Sequence, residues 1–300
     1  VRRYFVEMKT KTELAEELEI SRFKAARLID EAIKEEYVKF LFPKQQLLDE
    51  EIALNLCGKY GLQKAIVLSV SESWSNQEEL NEKLGGITAS YLNNNLAEGM
   101  KVGIAWGRVL SSTVSQLTSL PALDVVQLSG VHPGIEFSQG PIDLIHRLST
   151  ISQGKAHPMY VPMWVDDESL AQKLASDPAV VDTQQYYSQL DVVITGIGAW
   201  KTGSSNLCDI FPESWQKNLF EKDIAADVCI TLVNSKGEIL DSPMSRLGFG
   251  ISTEQLRNTK TVIGVAGGEQ KYEGIVASLK SGLLDVLITD FDTAVKLVNS

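Results

Sequence analysis

Residues 262–289 read VIGVAGGEQKYEGIVASLKSGLLDVLIT, and this stretch decides the fold. VIGVA (262–266) and VLIT (286–289) are short β-branched runs that are apolar throughout, and residues 270–281 between them follow helical spacing. A strand that is apolar on both faces must be covered on both faces, so strand, helix and strand in succession imply parallel pairing in a sheet sandwiched by helices. The same alternation extends towards the N-terminus. Strand candidates are 65–69, 102–106, 125–129 and 192–197, with helical segments at 76–96, 109–117 and 168–174 and a final helix at 293–299. The expected body is a doubly wound, mostly parallel α/β domain, whose ligands bind beyond the carboxyl ends of the strands.

Three loops at those ends are rich in glycine. In AWGRVLSS, Gly107 and Arg108 follow a strand and open a helix; the free N–H groups of a helix start, a glycine that admits close approach and a guanidinium together suit an anion. TGIGAWKTG (195–203) and AGGEQK (266–271) follow two further strands, and Lys271 opens the next helix. None completes GxGxxG, and no Walker lysine pattern occurs, so nucleotide binding is not indicated. Glycine after a strand is often only a turn residue. Three such loops at one end of one sheet, with cations among them, point instead to a binding site. No GxSxG, HExxH or close His–Ser or His–Cys pairing is present, and no catalytic residue is assigned. Cys57, Cys208 and Cys229, like His132, His146 and His157, are too dispersed for a disulfide framework or a metal site, and no cofactor is expected.

Ahead of the body lies a different composition. The 300 residues hold 28 Lys and Arg against 39 Asp and Glu, a formal charge of −11 that argues against nucleic acid. The charge is unevenly spread: residues 1–48 carry 10 basic against 9 acidic side chains, and the rest carry 18 against 30. Within TKTELAEELEISRFKAARLIDEAIKEEYV (10–38) two apolar-periodic blocks are separated by a break at Glu19 and Ile20. Thr10 with Glu13 suits a capping box, and Ser21 can cap the second block. This is the outline of a helix-turn-helix, whose second helix would present Ser21, Arg22, Phe23, Lys24 and Arg27 to the major groove. The alternative is a helical hairpin with a solvated charged face, and Glu19 at a turn position commonly held by Gly favours it. Basic groups at the start of the second helix, and acids at its end, oppose the helix dipole and favour a polyanionic partner. VKFLFP (38–43) reads as a strand or wing and 45–62 as a connecting helix, which sets domains of 1–48 and 49–300. No apolar run is long enough to span a bilayer, which predicts a cytoplasmic protein, and Val1 lies inside a helical pattern, so the natural start is expected upstream.

The LAEELEISRFKAARLI head, the VGIAWGRVLSS loop, DVVITGIGA, DIAADVCITLVNSKGEIL and the tail from VIGVAGGEQK to LITDFDTA together resemble the SorC/DeoR-like sugar-sensing transcriptional regulators of bacteria, over essentially the whole chain. The resemblance implies a body like a sugar-phosphate isomerase turned sensor, a sugar or sugar-phosphate effector, operator DNA as partner and self-assembly into dimers or tetramers. By resemblance the effector site comprises Gly107, Arg108, Val109 and Leu110 as the phosphate seat, with Gly198, Asp227, Arg246 and Lys271. Ala226 stands where the family usually has Gly, and Arg108 or Val109 where many members have Thr. A sugar-phosphate isomerase or deaminase on the same fold is the competing reading, and a carbohydrate-binding module whose head only oligomerises is a third.

Overall fold

A computed structural model describes residues 2–5, 7, 9–34, 37, 48–69, 74–219 and 223–300. The strand expected at 38–43 and residues 45–47 of the helix expected over 45–62 lie outside these residues; that helix is shorter than expected, running Glu50–Tyr60 between the Asp49 cap and Gly61 in the left-handed conformation. The chain divides into two compact units, Val1–Gln45 and Gln46–Ser300.

The first unit contains helices Arg2–Phe5, Lys11–Glu17 and Arg22–Lys34. The capping box forms: the Glu13 N–H donates to Thr10 Oγ1 (3.3 Å) and the Thr10 N–H to Glu13 Oε2 (2.7 Å). Ser21 Oγ accepts from the Lys24 N–H (3.2 Å), capping the longer helix. Leu14, Ala15, Ala25, Ile29 and Ala32 are buried and form the small core. Glu19 has φ 51°, while the Ile20 N–H reaches Ala15 O (2.9 Å) and the Glu19 N–H reaches Glu16 O (3.3 Å). That is the Schellman arrangement, with a glutamate in the left-handed position that glycine usually holds. The turn therefore closes without Gly, against a cost of order 1 kcal/mol. Glu19→Gly is expected to stabilise this unit by about that amount, slowing amide hydrogen exchange in residues 14–32 about fivefold. Unchanged exchange would show that the turn carries no strain.

The second unit is built on a nine-stranded sheet. β1 (Lys64–Leu68), β2 (Lys101–Ile104), β3 (Asp124–Gln127), β4 (Lys155–His157), β5 (Val192–Ala199), β8 (Thr261–Val265) and β9 (Val286–Asp290) run parallel in the order β1-β9-β8-β5-β2-β3-β4. β6 (Ile224–Val228) and β7 (Thr231–Asn234) form an antiparallel hairpin on the far end of β5. Val67, Leu68, Val102, Val193, Ile194, Val265, Leu287 and Ile288 are fully or almost fully buried, as strands covered on both faces require. From β1 through β2 and β3 to β4 the chain moves one way across the sheet, and from β5 through β8 to β9 it moves the other way. With right-handed crossovers the two halves place their helices on opposite faces, so the winding reverses between the neighbours β2 and β5.

The six strands expected in the body are present, shifted by up to two residues. β4 and the β6–β7 hairpin were not predicted. The hairpin turns at Cys229 and Ile230, with φ 56° at Cys229, and carries none of the Gly, Asn or Asp that signal a two-residue turn. Helices Pro141–Ser152 and Glu213–Leu219 were also not predicted.

Candidate functional site

The reversal point places the ends of β2, β5 and β8 around one cavity. β2 leads through Ala105 and Trp106 to Gly107, whose φ of 123° lets the chain turn sharply into helix Arg108–Gln116. The Gly107 N–H is taken by Gln139 O (3.0 Å), and its carbonyl accepts the Ser111 N–H (2.9 Å). The N–H groups of the helix's first turn have no intrahelical acceptor, so the helix presents donors and the positive end of its dipole. On the β8 side, the Gly268 N–H donates to Asp290 Oδ2 (2.7 Å), which fixes the turn leading to Lys271.

Four charged groups converge here. Lys271 Nζ donates to Ile197 O (2.7 Å) and to Ser204 O. Arg108, exposed at the rim, donates from Nη2 to Gly203 O (2.7 Å). Both cations therefore hold the segment that follows β5. Asp227, buried on β6, is the direct cross-strand partner of Gly198 and accepts a hydrogen bond from Ser205 Oγ. Asp209 accepts from the Gly203 N–H (2.8 Å). Burial pushes the Asp227 carboxyl up to about 6, against the opposing pull of Ser205 and Lys271. Burial also lowers the Lys271 ammonium to about 8, despite the attraction of Asp227. Each charge is thus held there at a cost that a bound ligand can relieve.

The inner cavity holds ≈ 70 Å³ and shares Gln77, Asn81 and Arg108 with an adjoining cleft of ≈ 680 Å³. Gly107, Arg108, Val109, Gly198, Asp227 and Lys271 all line the inner cavity, as expected from the sequence. Two expected residues do not. The Leu110 side chain is wholly buried in the core, leaving only its backbone N–H at the helix start. Arg246, in helix Met244–Leu247, is 70% exposed and pairs with Glu168 (3.5 Å). Gln77, Asn81, Ser204 and Gln270 line the cavity without having been singled out. The run KTGSSN after β5, with Ser205 capping helix Asn206–Ile210, was the legible sign for Ser204. Gln77 follows the β1 loop, which lacks the glycines that marked the other three.

Burial raises the Cys208 thiol to about 11 and the Cys229 thiol to about 12, so neither supplies a thiolate nucleophile at neutral pH. Among the described residues no cluster of His, Cys, Asp and Glu could hold a metal ion, and no helix is long and apolar enough to cross a membrane. His157 pairs with Asp124 (2.9 Å), and His132 stacks on Trp164. In the first unit Ser21, Arg22, Phe23, Lys24 and Arg27 are all exposed.

A doubly wound sheet with a charged cavity at its reversal point defines a small-ligand-binding domain. Residues 45–299 match the sugar-binding domain family, and the chain belongs to it, as the binding part of a SorC/DeoR-like transcriptional regulator. The chain is 26% identical to the sorbitol operon regulator of Klebsiella pneumoniae, covering 97% of this chain and 93% of that one. It is 25% identical to the deoxyribonucleoside regulator of Bacillus subtilis strain 168, over 99% and 95% of the two chains. The crystal structure of the full-length Klebsiella regulator superposes with a TM-score of 0.85 at 24% identity, over 99% of this chain and 96% of that one. These relatives are transcriptional regulators, not enzymes.

Proposed function

We propose that residues 49–300 sense a sugar phosphate, or a sugar, in the cavity between β2 and β5, and that residues 1–48 bind operator DNA under its control. The observation that carries this reading is that Arg108, Lys271 and a helix N-terminus line one cavity together with a buried carboxylate, Asp227. The cations and the helix start suit a phosphate; the carboxylate suits sugar hydroxyls. A sorbitol operon regulator and a deoxyribonucleoside regulator among its relatives agree with a small carbohydrate ligand.

The bonds within the site suggest how occupancy is transmitted. Arg108 and Lys271 hold the carbonyls of Gly203 and Ser204, so an anion that takes over these two cations competes directly with the segment after β5. Re-seating that segment would alter subunit packing and the spacing of paired heads, and hence the fit to two half-sites. An acidic body makes a single head a weak DNA ligand, so useful affinity calls for a dimer or tetramer acting in a cytoplasmic setting.

A panel of sugars and sugar phosphates, read by thermal shift and by operator affinity, tests the proposal. A selective effector raises the unfolding temperature and changes operator binding; no shift from any phosphorylated or free sugar would remove the sensor role. Arg108→Ala is expected to weaken a phosphorylated effector by about 1 to 1.5 kcal/mol, the low end for a charged hydrogen bond because the guanidinium is exposed. Titration calorimetry of the effector and its unphosphorylated sugar checks this, and an equal loss for both would take Arg108 off the phosphate.

A further inference from the structure

Phe23 is the second residue of helix Arg22–Lys34 and is 90% exposed, more than any other large hydrophobic residue among those described. The helix buries Ala25, Ile29 and Ala32. At about 100° per residue, Phe23 and Arg27 lie within about 40° of each other on the opposite, outward face. Arg22 and Lys24 flank the phenyl in sequence, and the Ser21 cap fixes the helix start that carries all of them. The exposed phenyl leaves apolar area beside these cations that a partner can cover. The surrounding charge selects which one. An apolar protein surface would have to desolvate three flanking cations, whereas the duplex backbone neutralises them. Within a major groove lined by polar base edges and phosphates, the apolar group that projects towards such a helix is the C5 methyl of thymine.

Resting on the assignment of residues 1–48 to DNA binding, we propose that Phe23 is a specificity-determining residue that reads a thymine methyl in each operator half-site. Arg22, Lys24 and Arg27 supply phosphate and base-edge contacts around it, and Phe23 fixes one position of the sequence.

The test uses the full chain and a random duplex pool. Sequences selected by the wild-type protein should share a thymine in each half-site, and selection by Phe23→Ala should lose that thymine while keeping the other positions. In the selected site, replacing that thymine by deoxyuridine removes only the methyl. Wild-type affinity should then fall about fourfold, the equivalent of one buried methyl group, and Phe23→Ala affinity should not change. Phe23→Leu, which keeps an apolar side chain, should retain part of the sensitivity. Unchanged thermal unfolding of both variants is expected, because the side chain is exposed. Enrichment of a shared sequence with no uracil-sensitive position, or equal sensitivity in wild type and Phe23→Ala, overturns the role of Phe23. Failure of the wild-type protein to enrich any sequence overturns the DNA-binding assignment itself, and the two failures are distinct.

Discussion

Replacing Gly198 by alanine is expected to lower the stability of the second unit by about 2 to 3 kcal/mol and to abolish the effector response, the cost of overpacking a site that cannot relax. Gly198 lies on β5 directly opposite Asp227 on β6. A Cβ there would sit 2.0 Å from Asp227 Oδ1, 2.5 Å from its Cγ and 2.6 Å from Oδ2. The carboxylate cannot simply swing aside, since it is buried and held by Ser205 Oγ. Relief requires either breaking that bond or parting the two strands. Gly196→Ala, two residues earlier on the same strand, is the control: its Cβ meets only Val109 Cγ1, at an ordinary 3.8 Å. Urea unfolding should separate the two variants clearly. Gly198→Ala combined with Asp227→Ala should regain most of the stability without regaining effector binding, because the coupling between neighbours is removed together with the carboxylate. A Gly198→Ala variant as stable as wild type would mean that Asp227 has room the geometry denies it.

The glycine matters because of where β5 runs, and that was only partly legible in the sequence. Continuous apolar runs such as VIGVA and VVITGI declared buried parallel strands, because no half-exposed strand would be apolar on both faces. Their order in space was not written there: that β5 would lie beside β2, with the winding reversed between them, follows only from the assembled sheet. The three glycine-rich loops were readable singly, and the sheet brought them together. Arg246 shows the opposite case: a basic residue matched by resemblance lies outside the cavity and pairs with Glu168 instead. Leu110 belonged to the right motif, yet helical periodicity turns its side chain into the core. Glu19 argued against a helix-turn-helix by residue type, and it nevertheless takes the left-handed conformation the turn requires. The β6–β7 hairpin, which carries Asp227, was hidden because its turn uses Cys229 in place of a turn-forming residue.

A phosphorylated effector should bind with a pH dependence set by Lys271. Burial holds its ammonium at about 8, below the ordinary 10.5, and a bound anion favours the protonated form. The complex therefore holds Lys271 at a higher pKa than the free protein, and binding takes up a proton at pH values between the two. Affinity should fall as pH rises through about 8, by up to tenfold per unit, until the complex itself loses the proton. Calorimetry in buffers of different ionisation enthalpy measures the uptake. In Lys271→Met the decline above pH 8 should disappear and affinity at pH 7 should drop by about 2 to 3 kcal/mol, the scale of a lost charged hydrogen bond. Without effector, stability is expected to change with pH in the opposite sense. A lysine whose folded pKa is depressed contributes stability that is complete above its unfolded value and is lost as pH falls through the folded one. At pH 7 the buried ammonium thus costs up to about 3 kcal/mol, which offsets the bonds it makes to Ile197 O and Ser204 O. Lys271→Met should then stand within about 1 kcal/mol of wild type at pH 7 and lose ground to it as pH rises from about 8 towards 10. A wild-type affinity that stays level from pH 7 to 9.5 would separate Lys271 from the anion and take the phosphate off this lysine.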